Sequence, residues 1–198
     1  MEKKILEAAE QLFLEKGFAM TSTTEIAKIA GCNQALVHYY FRTKDHLFDA
    51  IFENKVRMFI STFMEISNED IPFEEKLKRK IEAHFDMIRA NPKFPFLIIN
   101  ELTTNPQRVE KIKAKISQLP KAIFGQLDKE LDEEIRKGNI RPIKTIDLLF
   151  SIVSLNMVLF LAKPFIKTIT NISDEDYEAM VEHRKKENVL MILRSLRP

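Results

Sequence analysis

Read for residues that could do chemistry, this chain of 198 residues offers little to an enzyme. Its four histidines, His38, His46, His84 and His183, are dispersed, with no HExxH motif and no pair at metal-binding helical spacing. No serine sits in a nucleophile motif, and the 4 glycines are too scattered to form a phosphate loop. The lone cysteine, Cys32, excludes an intrachain disulfide and a cysteine-based zinc site. It reads as a packed turn residue rather than a redox sensor, and His46 as a surface residue of a helix's first turn. The expectation is a protein that is not an enzyme and carries no catalytic residue, metal or cofactor.

The chemistry that remains is hydrogen bonding from residues 22–44. With Val37 and Phe41 facing inward on a helix, Gln34, Ala35, His38 and Tyr39 fall on the outer face. That face has no carboxylate. It offers an amide able to read adenine through two hydrogen bonds, a methyl group permitting close approach, and donors for base edges or phosphate. Thr23 and Thr24 add hydroxyls and backbone N–H groups at a helix start, where a phosphate is welcome, and Lys44 is placed for a second one. Together these residues point to reading of double-stranded DNA.

Such a face needs elements to hold it. Ile5, Leu6, Ala9, Leu12 and Phe13 recur at helical spacing until Lys16-Gly17, a C-terminal signal. Ser22-Thr23-Thr24-Glu25 is a capping box that opens a second helix, closed by Gly31. Asn33 caps a third helix reaching Phe41. Ala27 is small enough for the two helices to approach, and Gly31 tolerates the positive φ of a tight turn, so the corner reads as helix-turn-helix. Thr43 then caps a long helix whose apolar stripe runs Leu47, Phe48, Ile51, Phe52, Phe59, Phe63 and Ile66, broken at Ser67 to Pro72. Further helices are expected over Phe73–Ala90, Phe96–Thr104, Arg108–Lys137 with a kink near Pro120 and Gly125, Pro142 to about Lys163, and Ser173–Leu196. No segment alternates with period two. The fold class is all-α: an N-terminal three-helix DNA-binding domain joined by a long helix to a larger helical domain.

Residues 5–51, with their apolar first helix followed by "EKGF", "TSTTEIAKIAG" and "YYFRTKDHLF", resemble the N-terminal domain of TetR-family transcriptional regulators. The resemblance implies a homodimer, most often a repressor, that sets its third helices into a palindromic operator and is released by a small effector. Carried over by position, it adds Leu36 and Tyr40 to Thr23, Thr24, Gln34, Ala35, His38, Tyr39 and Lys44 as DNA-contacting residues. It places a DNA-binding domain at residues 1–47 and an effector-binding and dimerisation domain at 48–198. Many members carry Lys or Arg where this chain has Gln34, Arg where it has Thr24, and Tyr where it has His38. Six basic residues face seven acids within residues 1–50, which predicts a shallow salt dependence of DNA binding.

The second domain is rich in adaptable apolar side chains, among 15 Phe and 8 Met in the whole chain. His84, Phe85, Ile88, Phe96, Asn100, Glu101, Phe124, Phe150, Met157 and Phe160 are candidate liners of a pocket for a largely apolar effector. The alternative is that most of them simply fill a core, with Asn100 and Glu101 facing solvent and Asn156 pairing across a dimer. A buried Glu101 would favour a cationic effector. Leu148 to Ala162 is apolar nearly all round, which suits burial against a partner subunit together with the last helix, so helices near 145–163 and 173–196 are the expected dimer interface. The stretch is shorter than the roughly 20 residues of a membrane span and carries Ser151, Ser154 and Asn156. With no signal peptide and a single cysteine, a cytoplasmic location is expected. A net charge of +2 gives no electrostatic argument for DNA. A stacked-helix interaction module is the competing reading, and it leaves the capped, acid-free corner unexplained.

Overall fold

A computed structural model describes the backbone of residues 1–116 and 119–198, and side chains outside residues 112–123. Its helices, in order, are α1 (Glu2–Lys16), α2 (Thr23–Ala30), α3 (Gln34–Phe41), α4 (Lys44–Ser67), α5 (Phe73–Ala90), α6 (Phe94–Thr104), α7 (Pro106–Ile116), α8 (Leu119–Arg136), α9 (Thr145–Leu161), α10 (Lys163–Thr170) and α11 (Asp174–Ser195). No strand occurs among the described residues.

The chain divides into two units. The first comprises Met1–Met58 and Phe96–Ala114, the second Phe59–Pro95 and Lys115–Pro198. The core of the first unit is supplied by Ile5, Ala9 and Phe13 of α1, Ile26 and Ala27 of α2, Val37 of α3, and Leu47, Phe48 and Ile51 of α4. Phe13, Phe18 and Phe48 form an aromatic trio with ring centroids 5.3 to 6.1 Å apart. In the second unit α5, α9 and α11 pack together, joined by α8. One cluster there contains Leu77, Ile81, Leu127, Leu131, Leu148, Ile152 and Ile192. Another groups Phe85, Ile88, Leu159, Phe160, Tyr177 and Val181.

Three boundaries differ from the sequence reading. α6 begins at Phe94, because Pro95 lies in its first turn, where a missing N–H costs nothing. The segment read as one helix from Arg108 to Lys137 is two helices, α7 and α8, and residues 117–118 between them lie outside the described set. The apolar helix does not end in a loop at Lys163. Pro164 removes an amide donor, the axis bends by 57°, and α10 starts afresh with proline in its first turn. Among the described residues no single helix is long and apolar enough to cross a membrane.

Candidate nucleic-acid interface and apolar cavity

The α2–α3 corner is built from local hydrogen bonds. Ser22 Oγ accepts from the Glu25 amide at 3.2 Å, and Glu25 Oε2 accepts from the Ser22 amide at 3.0 Å. Lys16 donates to the same carboxylate. That bond and those from Ser22 hold the Glu25 pKa at about 2, so the capping box is ionised throughout the neutral range. Gly31 takes φ 69° and its neighbour Cys32 donates to Ala27 O at 2.9 Å, closing the turn. Asn33 Oδ1 caps α3 by accepting from the Leu36 amide at 2.9 Å.

On α3, Val37 and Phe41 are buried, while Gln34, Ala35, His38, Tyr39 and Tyr40 are exposed. Thr24 is also exposed, and Thr23, Leu36 and Lys44 are half-buried. The polar groups on this face are not independent. His38 Nδ1 lies 2.9 Å from Arg42 O, which can only accept, so Nδ1 carries the proton and Nε2 presents a lone pair. Gln34 Nε2 faces that lone pair at 3.4 Å and donates to Thr23 Oγ1 at 2.9 Å. The amide nitrogen is thus engaged within the protein, and Oε1 has no hydrogen-bond partner among the described residues. The ring of Tyr39, 78% exposed, meets Tyr40 edge-on at 5.3 Å.

Beneath the corner, Lys44 Nζ donates to Phe18 O at 2.8 Å, Thr21 O at 2.9 Å and Ala19 O at 3.3 Å. The same ammonium lies 4.4 Å from the centre of the Phe18 ring. Its three donors therefore fasten the loop between α1 and α2. Arg108 of α7 is the second cation of this region and is only 2% exposed. Its guanidinium sits 4.3 Å from the Phe18 ring centre and 4.2 Å from that of Phe48. It donates to Asp45 Oδ1 at 2.8 Å and pairs with Asp49 at 3.6 Å and Glu101 at 3.2 Å. The Nε–Glu101 contact is an ion pair without hydrogen-bond alignment.

The second unit holds a cavity of about 300 Å³, at the low end of the range for small-molecule sites. Its wall is apolar, from Phe59 and Phe63 of α4, Phe124 of α8, and Ile146, Leu149, Phe150, Ile152 and Val153 of α9. Two residues of α5, Lys80 and His84, supply the polar part. Lys80 Nζ is bound to Glu130 Oε2 at 2.7 Å and lies over the Phe63 ring; burial lowers its pKa and Glu130 opposes that. Burial alone pushes the His84 pKa down to about 4, so the imidazole is neutral at physiological pH.

Two family descriptions match this chain: "Bacterial regulatory proteins, tetR family" over residues 5–51, and "Tetracyclin repressor-like, C-terminal domain" over residues 74–192. The chain belongs to the TetR family. The fatty acid metabolism regulator protein of Bacillus subtilis is 28% identical over 138 residues, 70% of each chain. Transcriptional regulator FadR from Bacillus subtilis, solved in complex with stearoyl-CoA, superposes with TM-score 0.69 at 20% identity over 100% of both chains. Salmonella enterica GusR superposes with TM-score 0.71 at 20% identity, covering 98% of this chain and 94% of that one. At such identity the two structures speak for the shared fold. As a TetR-family member the chain is a ligand-responsive transcriptional regulator and not an enzyme.

The TetR-type corner brings Thr23, Gln34 and His38 into one hydrogen-bonded set, whereas Lys44 engages carbonyls of its own chain. Of the residues read as pocket liners, His84, Phe124 and Phe150 line the cavity. Phe85, Ile88 and Phe160 are buried in the neighbouring core cluster, with Met157 packed against it. Phe96, Asn100 and Glu101 belong to the first unit, where Phe96 is exposed and Glu101 is buried against Arg108. The cation that a buried Glu101 calls for is thus in the chain itself. The cavity also takes Lys80, Phe59, Phe63 and the liners from α9 other than Phe150, which are not among the liners expected from sequence. Phe59 and Phe63 had a usable signal, since they continue the apolar stripe of α4 into the second unit.

Proposed function

We propose that this regulator is a homodimeric repressor that leaves a palindromic operator when its cavity takes up the apolar chain of a long acyl group. The observation that carries this reading is the aromatic and aliphatic wall around about 300 Å³ of space in the second unit. The complex of the Bacillus subtilis FadR with stearoyl-CoA supports it. Thr23, Thr24, Gln34, Ala35, Leu36, His38, Tyr39 and Tyr40 present the DNA-reading surface, and Lys44 keeps that surface in place by holding the preceding loop.

Dimerisation through α9 and α11 is supported by large apolar side chains exposed in the single chain. Phe150 and Val158 of α9 are 64% and 58% exposed, and Leu190 and Met191 of α11 are 41% and 47% exposed. Exposed apolar side chains on two helices that pack together favour an isologous contact. The protein works beside chromosomal DNA in the cytoplasm. In this reading residues 1–47 serve DNA binding, and residues 48–198 serve effector binding and dimerisation. The test is selection of an operator from genomic fragments, followed by titration of stearoyl-CoA against the complex in a fluorescence anisotropy assay. Release of a palindromic operator at micromolar ligand is expected. An operator affinity that stearoyl-CoA leaves unchanged contradicts the acyl reading.

A further inference from the structure

The polar groups behind the cavity form a chain with one direction. Arg184 Nη2 donates to Asn188 Oδ1 at 2.9 Å, and a guanidinium cannot accept. Asn188 Nδ2 therefore faces the other way, donating to Leu155 O at 2.9 Å and to Asn156 Oδ1 at 3.0 Å. Asn156 Nδ2 in turn donates to Ile81 O at 3.0 Å, a carbonyl that cannot donate, and meets His84 Nδ1 at 3.2 Å. Each amide is fixed by a neighbour of single polarity, so neither can flip. His84 Nδ1 is thereby the acceptor, and in a neutral imidazole the proton resides on Nε2. Nε2 has no hydrogen-bond partner among the described residues and is not sealed away, on a side chain that lines the cavity.

The other polar liner is already engaged. Lys80 holds Glu130, and a ligand carboxylate entering there would be a second anion beside the first in an apolar wall. We propose that the cavity recognises its ligand through the Nε2–H of His84, and so takes an acyl chain bearing an uncharged oxygen acceptor, a thioester or ester carbonyl, in preference to one ending in a free carboxylate. The proposal rests on the acyl-chain reading above and names the head-group chemistry of the same site. Asn156, Asn188 and Arg184 are positioning residues for that donor.

The test is calorimetric titration of the full chain with two matched pairs of probes. Palmitoyl-coenzyme A is compared with the hexadecyl thioether of coenzyme A, which lacks the carbonyl, and methyl palmitate with palmitate. The thioester is expected to bind roughly 3- to 10-fold more tightly than the thioether, the span of one net hydrogen bond. The methyl ester is expected to outbind the acid. In His84→Phe both preferences collapse toward one, while the apolar chain still binds. Equal binding of thioester and thioether to the wild-type chain overturns the proposal and leaves the acyl reading standing, as does palmitate binding as tightly as its ester. Failure of every probe to bind removes both. A readout independent of any variant is the ¹⁵N spectrum of the His84 ring in the wild-type protein. An unprotonated Nδ1 supports the assignment, and a protonated Nδ1 at neutral pH overturns it.

Discussion

Replacing Arg108 by methionine keeps an unbranched apolar stem and removes the guanidinium with its charge. The guanidinium is 2% exposed, and Asp49 and Glu101 beside it have side chains only 7% exposed. Asp45, with a side chain 49% exposed, remains largely hydrated. Loss of the cation removes the positive charge that faces the buried Glu101 and Asp49, and breaking a buried pair from one side costs about 3–5 kcal/mol. Contacts with the Phe18 and Phe48 rings, worth roughly 0.5–2 kcal/mol each when desolvated, are lost as well. Together these assign Arg108→Met a cost of about 4–9 kcal/mol, comparable to the 5–15 kcal/mol that ordinarily holds a domain together. The chain has two units, so a single unfolding midpoint would blur the result. Hydrogen exchange read by mass spectrometry on peptides from α1 to α3 isolates the first unit. Exchange there should accelerate in Arg108→Met and recover much of its protection when Glu101→Gln and Asp49→Asn are added. A single variant that costs less than about 1 kcal/mol, or a neutralised triple variant no better than the single one, refutes the view that the cluster is a coupled buried ion network.

Gln34→Ala should weaken operator binding by roughly 1–3 kcal/mol and relax preference at one base position. Because Thr23 and His38 occupy the amide nitrogen, the preferred base there should offer an amino donor in the major groove, as adenine and cytosine do; selection from randomised operators of guanine, whose major-groove edge only accepts, would count against that orientation. His84 makes the second unit acid-sensitive: the unfolded chain protonates this residue near 6.5 while the folded chain resists until about 4, so stability falls as pH drops between these values. The loss approaches about 1.4 kcal/mol per pH unit and about 3 kcal/mol in all, and denaturant titrations at several pH values should show a shallower decline in His84→Phe. With Lys44 engaged by carbonyls, the log–log salt slope of operator binding should stay well below the value of about 10 of a contact-rich repressor; a steep slope would show that cations of this chain reach many more phosphates than expected.

The parts of this molecule that are legible in its sequence are those whose partners lie a few residues apart. Ser22 and Glu25 are three residues apart, Gly31 needs only its own φ, and Asn33 caps the helix that it precedes, so the corner and its exposed face follow from local rules. Arg108 is the opposite case. Its partners are Phe18, Asp45, Phe48, Asp49 and Glu101, on a loop and on helices α4 and α6, and its own helix reads as an ordinary polar one. Nothing local distinguishes a solvated arginine from a buried one. Glu101 stood out as a polar residue amid apolar neighbours, but the same limitation hid the cation that neutralises it. α10 was hidden for a different reason: Lys163-Pro164 reads as a stop, although proline in a first turn equally marks a start. The cavity lay between these extremes. His84 is legible as a polar residue amid apolar ones, whereas nothing near Lys80 in sequence marks it as buried, because its partner Glu130 is fifty residues away.

Phe18 receives two cations on one ring, and that has a consequence for how the first unit can vary. A leucine there would preserve the greasy bulk and still remove the electron-rich surface that lets an ammonium and a guanidinium share a neighbourhood. Positions 18, 44 and 108 therefore form a single chemical choice spread over three distant stretches of chain. Among relatives, an exchange of the ring for an alkyl group should arrive together with the disappearance of at least one of the two charges.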